Sequence, residues 1–433
     1  MERINKKMEQ SSIAIIIILS AVILFATEKI PLAMTAILAA LAMSFFGIIS
    51  YTDALIGFGS PTVMMIIGMI IIGNAVFETG LAQVIGDTFL KKVSNNEKKF
   101  LVVIIIISAI FSAFMSNTAT VALFLPIIST IAAKSKGIIT KKNTSMALGF
   151  SAVAGGACTV VGSTPQLVAQ GILAQTEGVR TMTFFEIGKI GFPLVFVIII
   201  FFVTIGYKLQ QKVFDFPEIE DDLIIENGDR KLSKDKKNKM VISGTVLIGC
   251  VLAFILELWN VGVIAILGAT ILIVTRCIDE KKAYKTMDWT TVVIVGGAIG
   301  FSKGLDSSGG GRLIADTALN LLGGETATPF GIMVMLTIIA VILGNFMSHT
   351  ATASMLTPIA IYMAQSVGVD PIVYVITVII SCNNASATPV GTPPITLTLP
   401  VGYRFNDYVI VGGALTVLRT IATIILIPII YGL

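Results

Sequence analysis

Two short polar motifs interrupt apolar sequence where a binding site could form. Ser116-Asn117-Thr118 lies in the middle of the apolar stretch 100–133, and Ser348-His349-Thr350 in the middle of 330–363. About 45 residues after each comes a second interruption, Thr159-x-Val161-Gly162-x-x-Pro165 and Thr388-x-Val390-Gly391-x-x-Pro394. A helix broken at such a place frees carbonyls that, with hydroxyls, can hold a cation. The helix start beyond the break offers N–H groups and a positive dipole end to an anion. One Ser-Asn-Thr in an apolar run would mean little, because hydroxyl residues there bond their own helix backbone. Two at equivalent positions, each with its Gly-x-x-Pro partner, describe an anion site with a cation site beside it. Other chemistry is poorly supported. No Asp or Glu lies at the four breaks, and the single histidine, His349, excludes an HExxH protease or a multi-histidine metal centre. Cys158, Cys250, Cys277 and Cys382 lie in or beside apolar segments without CxxC spacing, which reads as packing.

The elements that carry these motifs must sit in a membrane. The chain has 433 residues, of which 55% are hydrophobic and 13% charged, and its mean hydropathy is +0.92. These values lie outside the range of soluble domains. Soluble enzymes and nucleic-acid modules are thereby excluded, and the net charge of +4, carried in loops, speaks to orientation rather than to a polyanion. The first apolar run follows Arg3, Lys6 and Lys7 and ends at Thr27-Glu28-Lys29 without a small-residue cleavage site, which predicts a retained helix. Stretches long enough to cross about 30 Å of hydrocarbon fall near 11–29, 32–50, 60–78, 144–172, 187–207, 241–259, 261–278, 289–305, 371–399 and 408–430. The stretches 100–133 and 330–363 read as re-entrant hairpins. With this arrangement 22 Lys and Arg fall on one side and seven on the other, so the first side is cytoplasmic and both termini are external. The basic N-terminal decapeptide runs against that bias. The polar segment 210–239 reads as a cytoplasmic linker between a first repeat, 1–209, and a second, 240–433. The broken helices lie at 144–172 and 371–399.

Shifting the chain by 229 residues superposes Glu28 on Glu257, Ala36-Ile37-Leu38 on Ala265-Ile266-Leu267, Asp87-Thr88 on Asp316-Thr317 and the two Gly-x-x-Pro motifs. A shift of 232 superposes the two hairpin motifs. Five crossings per half is odd, so the halves insert in opposite directions. The expected fold is all-α and integral to the membrane: an inverted-repeat secondary transporter of about ten transmembrane helices plus two re-entrant hairpins, its site near the bilayer midplane.

At these motifs the sequence resembles the divalent anion/sodium symporter (DASS) family, the di- and tricarboxylate and sulfate carriers of the ion transporter superfamily. The resembling segments are SNTATVALFLPI (116–127), GGACTVVGSTPQ (155–166), SHTATASMLTPIA (348–360), ATPVGTPP (387–394) and GYRFNDYVIVGG (402–413). The resemblance implies a homodimer that moves a transport domain against a scaffold, with sodium as coupling ion and no cofactor. It implies a first sodium site from Ser112, Ser116, Asn117 and the Gly162 carbonyl. Substrate contacts would come from Asn117, Thr118, Ser163, Thr350, Thr392 and Pro393, with His349 as an added contact. A second cation site would fall at Gly344, Met347, His349 and Gly391. There the sequence departs from the family pattern, with glycine at 344 in place of a hydroxyl and histidine at 349 in place of asparagine, while Gln166 and Ile395 replace asparagines.

His349 has two readings. It could couple protons or meet an anionic substrate, since imidazole titrates near neutrality, or it could hold the hairpin tip as a neutral hydrogen-bonding group. Glu28, Glu257, Asp87 and Asp316 stand at span ends and read as caps or interfacial anchors, and 307–311 (SSGGG) reads as a flexible external turn. The leading expectation is a sodium-driven carrier of a small dianion such as succinate, malate or citrate, in a cell membrane and surrounded by lipid. A sodium-independent or proton-coupled exchanger, a sodium/proton antiporter and an intramembrane enzyme are the alternatives.

Overall fold

The computed structural model describes residues 2–217, 233–313, 317 and 328–433, and among these there is helix and loop but no strand. Asp316 and residues 218–232 of the 210–239 segment lie outside the described residues. The first run of elements is α1 (Glu2–Thr27), α2 (Leu32–Phe45), α3 (Tyr51–Leu55), α4 (Pro61–Glu78), α5 (Leu81–Lys92), α6 (Glu97–Ser112), α7 (Asn117–Lys134), α8 (Lys141–Gly156), α9 (Thr164–Leu173), α10 (Gly188–Val203) and α11 (Ile205–Val213). The second run is α12 (Lys234–Ile255), α13 (Val261–Val274), α14 (Glu280–Lys285), α15 (Trp289–Ser308), α16 (Pro329–Phe346), α17 (His349–Ser366), α18 (Pro371–Asn384), α19 (Pro393–Thr396) and α20 (Gly413–Tyr431), the last entered through a π-helical turn, Tyr408–Gly412. Starts follow local chemistry. Ser60, Asn96, Asp288, Thr328 and Asp370 each accept a backbone N–H of the first turn, and Pro61, Pro329 and Pro371 supply a fixed φ without losing an intrahelical bond.

Six helical segments among the described residues are long and apolar enough to cross a membrane, and a seventh forms if α10 and α11, bent by 52°, count as one. Three sequence expectations change here. The stretches 32–50 and 261–278 are helical only over 14 residues each, about 21 Å at 1.5 Å per residue, so α2 and α13 fall short of the bilayer core. The linker is shorter than 210–239, because α11 runs to Val213 and Ser233 caps α12 by accepting the Lys236 N–H at 3.2 Å. The SSGGG segment is a packed helix end. Ser308 closes α15, Gly309 turns left-handed at φ 73°, and a Cβ on Gly311 would lie 1.9 Å from the Tyr362 ring.

The two runs of elements pack on each other crosswise: α4 lies against α13, and α2 against α15. An added Cβ at Gly68 would come within 2.4 Å of the Ala265 backbone, and one at Gly297 within 2.8 Å of the Ala36 backbone. Gly68 and Gly297 are 229 apart, as are Ala36 and Ala265, so each half presents a glycine to the other half's alanine. Units related by a two-fold axis make contacts of this reciprocal kind. The turns agree. Left-handed backbone recurs at Glu28 and Glu257, at Gly47 and Arg276, and at Gly80 and Gly309, each pair again 229 apart, although this conformation costs a non-glycine residue energy. In the remaining elements both α6 and α7 pack on α8, both α16 and α17 pack on α18, and α9 crosses to α17.

Candidate functional site

Each motif falls at a real break. Chain leaves helical geometry between α6 and α7, α8 and α9, α16 and α17, and α18 and α19, and the four gaps meet. The Thr159 hydroxyl donates to the Ala113 carbonyl, and the Thr388 hydroxyl donates to the Asn345 carbonyl at 2.6 Å. These are equivalent bonds in the two halves. Each spends the motif threonine on a carbonyl freed at the hairpin tip, which fastens tip to break.

Around Asn117 the first half is tight and oxygen-rich. Ser112, fully buried, donates its hydroxyl to Asn117 Oδ1 at 2.6 Å. A Cβ on Gly156 would lie 2.4 Å from Asn117 Oδ1, and one on Gly162 would lie 2.3 Å from the Gly156 carbonyl, so both glycines are required by close approach. The Gly156 carbonyl accepts from Gln166 Nε2 at 3.0 Å, and Ser163 donates to Gln166 Oε1. Ser116 does not cap α7 with its side chain. The donor set at this tip, hydroxyl, amide oxygen and freed carbonyls, suits a hard monovalent cation, and the uncapped first turn of α7 suits an anion.

The second half repeats the backbone with different side chains. Ser348 caps α17, accepting from the Ala351 N–H at 3.2 Å. The His349 N–H donates to the Gly391 carbonyl at 3.2 Å, while its buried Nε2 has no protein partner. A Cβ on Gly344 would stand 3.0 Å from both the Cys382 carbonyl and the Ala385 side chain. A side chain at 344 would therefore press on these two neighbours.

All four breaks line one cavity of about 640 Å³. Of the residues selected from sequence, Ser116, Asn117, Thr118, Gly162, Ser163, His349, Thr350, Gly391, Thr392 and Pro393 reach it, and Ser112, Gly344 and Met347 do not. The cavity also has a wall that sequence reasoning missed: Asn74, Thr286, Asp288, Thr290 and Thr291, from α4 and the start of α15. Asn74 Nδ2 donates to the Thr286 carbonyl at 3.1 Å, and Thr164 at the first break meets Thr291 across 3.0 Å. Asp288 is legible as a helix cap before an apolar run, but nothing in its neighbours says that it faces a cavity. Asn383 and the wholly buried Arg419 were missed as well, and the Arg419 Nη1 donates to the Asn383 carbonyl at 3.1 Å. Outside the helices, Arg180 pairs with Glu186 at 2.8 Å and with Asp370 at 2.9 Å, which joins the loop after α9 to the start of α18. Burial alone would raise the Glu186 carboxyl, but hydrogen bonds from Arg180 and the Thr183 N–H hold it below its ordinary range.

Known proteins agree with this architecture. The chain is 26% identical over 383 residues to an uncharacterized transporter of Haemophilus influenzae, covering 86% of this chain and 81% of the relative. It is 24% identical over 409 residues to the sodium-dependent dicarboxylate transporter SdcS of Staphylococcus saprophyticus, covering 87% and 77%. Among solved structures it resembles Neisseria gonorrhoeae MtrF, described as one of a class of antimetabolite efflux pumps, with TM-score 0.64, 16% identity and coverage of 88% and 84%. The Alcanivorax borkumensis YdaH transporter gives 0.63, with 14% identity and 88% of each chain. At these identities the two structures speak to the fold alone. The family description "citrate transporter" (CitMHS) matches residues 22–379, which include both hairpin motifs and the first Gly-x-x-Pro break. This multi-pass protein of the bacterial cell membrane therefore belongs to the citrate transporter family, in keeping with its resemblance to the divalent anion/sodium symporters.

Proposed function

We propose that the protein is a secondary active carrier that moves a small di- or tricarboxylate, such as succinate, malate or citrate, together with sodium by alternating access. One observation carries the reading: a single cavity is lined by all four backbone breaks, with hydroxyls, amides and helix starts in its wall and no lysine or arginine. Such a surface receives carboxylate oxygens through N–H and O–H donors, and the Ser112–Asn117 pair beside it is built from oxygens that a sodium ion can share. Asn117, Thr118 and Ser163 face one end of the anion, and His349, Thr350, Thr392 and Pro393 the other. The sodium-dependent relative SdcS supports the coupling ion. Uptake of labelled succinate, citrate and sulfate into proteoliposomes, with and without imposed sodium and pH gradients, tests the reading. Sodium-stimulated carboxylate uptake is expected, and uptake driven by a pH gradient alone would replace sodium with the proton.

The two halves are inserted in opposite directions, with α6–α7 and α16–α17 as re-entrant hairpins entered from opposite faces. The reciprocal glycine–alanine contacts and the shared left-handed turns support that arrangement. The cavity reaches the exposed Thr286 and Asp288 beside Lys281, Lys282 and Lys285, which supports an inward-facing state under the charge bias. Cysteines at Lys136 and Ser366, the hairpin exits, should react with an impermeant thiol reagent from opposite faces, Ser366 from outside. Labelling of both from one face rejects the inversion. Carriers of this plan work as homodimers, and we assign the same assembly here.

A further inference from the structure

The second break carries a permanent charge that the first lacks. Arg419, in the middle of α20, is fully buried, and among the described residues no carboxylate pairs with it. A guanidinium keeps its proton at neutral pH, and a buried charge without a partner is costly in a membrane protein. Among the described residues its Nη1 donates to the Asn383 carbonyl in the last turn of α18, the negative end of that helix, while Nε and Nη2 have no protein partner. The same turn holds unsatisfied oxygens: Ser381 Oγ, Asn384 Oδ1 and Ser386 Oγ are all buried without a donor. At the places 229 residues earlier stand Ala152, Gly155 and Ala157, at the end of α8, and Ile190, in α10, where the second half has Arg419. The second half thus has a buried cation bonded to the Asn383 carbonyl and, near the same helix end, side-chain oxygens that the first half lacks.

We propose that Arg419 is a resident cation, which supplies under the second break the positive charge that a coupling sodium supplies at the first. This rests on the sodium-coupled reading above and sharpens it: the second break takes up no sodium, and one sodium moves per cycle. The guanidinium neutralises the carbonyl dipoles of α18 and faces the far end of a dianion from behind Asn383, whose side chain lines the cavity. Arg419 is a positioning residue, since it does not itself reach the cavity.

The test counts sodium ions on the purified full-length protein without carboxylate, from equilibrium binding of radioactive sodium and from the dependence of Tm on sodium concentration. Wild type and Arg419→Lys are expected to bind one ion per chain. In Arg419→Gln the second break loses its buried positive charge, so a second sodium should be recruited and the slope of Tm against the logarithm of sodium concentration should about double. Two ions in wild type, or an unchanged single ion in a folded Arg419→Gln, overturns the proposal. Should Arg419→Gln fail to fold, wild type and Arg419→Lys decide, one ion in each supporting the resident cation and two in either opposing it. No sodium on wild type rejects sodium coupling itself, an outcome distinct from finding two.

Discussion

The two hairpin tips share a backbone and differ in chemistry. Thr159 and Thr388 make the same bond to the tip, and the two pairs of breaks recur at shifts of 232 and 229 residues. Yet Ser112 and Asn117 form a hydroxyl–amide pair at the first tip. Gly344 and His349 stand in their places at the second, where Ser348 also caps the α17 N-terminus through the Ala351 N–H. The lesson is that backbone symmetry fixes where a site can be, while side chains decide which ion it accepts.

The largest expected effect breaks that comparison at Asn117. Asn117→Ala removes the amide oxygen that meets Ser112 and should lower sodium-stimulated uptake at least about tenfold, since a ligand to a charged group contributes about 1.5–3 kcal/mol. The protein should still fold, as size-exclusion chromatography will show, and uptake above half of wild type sinks the site assignment. A smaller effect is expected at Gly156, whose added methyl would crowd Asn117 at 2.4 Å. Gly156→Ala should raise the sodium concentration for half-maximal uptake several-fold with little change in maximal rate at saturating sodium. An unchanged sodium dependence means that the amide is not held where the first site needs it.

Smaller again is the loss of one tip fastening. Thr159→Val and Thr388→Val each remove an equivalent hydrogen bond, about 1 kcal/mol, and should lower Tm by similar amounts, about 1–2 °C for a chain of this size. A marked inequality would show that the halves are not mechanically equivalent. The smallest effect concerns Glu186, whose carboxyl is held below its ordinary range by Arg180. A carboxylate depressed in the folded state stabilises above its unfolded pKa, about 4.3, and loses that contribution as pH falls through the lower folded value. Arg180 is half exposed, which weakens the pair. Wild type should therefore lose slightly more Tm than Arg180→Ala between pH 5 and about pH 3, and equal losses would assign the pair no role in joining α9 to α18.

The sequence determined a great deal alone, because a membrane leaves few choices. Backbone polar groups cannot go unpaired in hydrocarbon, so polar interruptions such as Ser116-Asn117-Thr118 and Gly162-x-x-Pro165 had to be breaks that line something. The recurrence of these motifs at fixed offsets announced a duplicated arrangement. Residue types pointed to an anion with a cation beside it, which is the reading proposed above. What sequence periodicity could not supply was contact between residues far apart in the chain. The cavity wall from Asn74 to Asp288, the close packing of Gly344 on Cys382 and Ala385, and the meeting of Arg419 with Asn383 all depend on helices from distant segments arriving at one point. Asp288 looks like an ordinary cap, and Arg419 like a lone charge in an apolar span. Only tertiary packing decides that the first faces the cavity and the second sits beneath a break, because burial and distance between segments belong to the fold and not to local sequence.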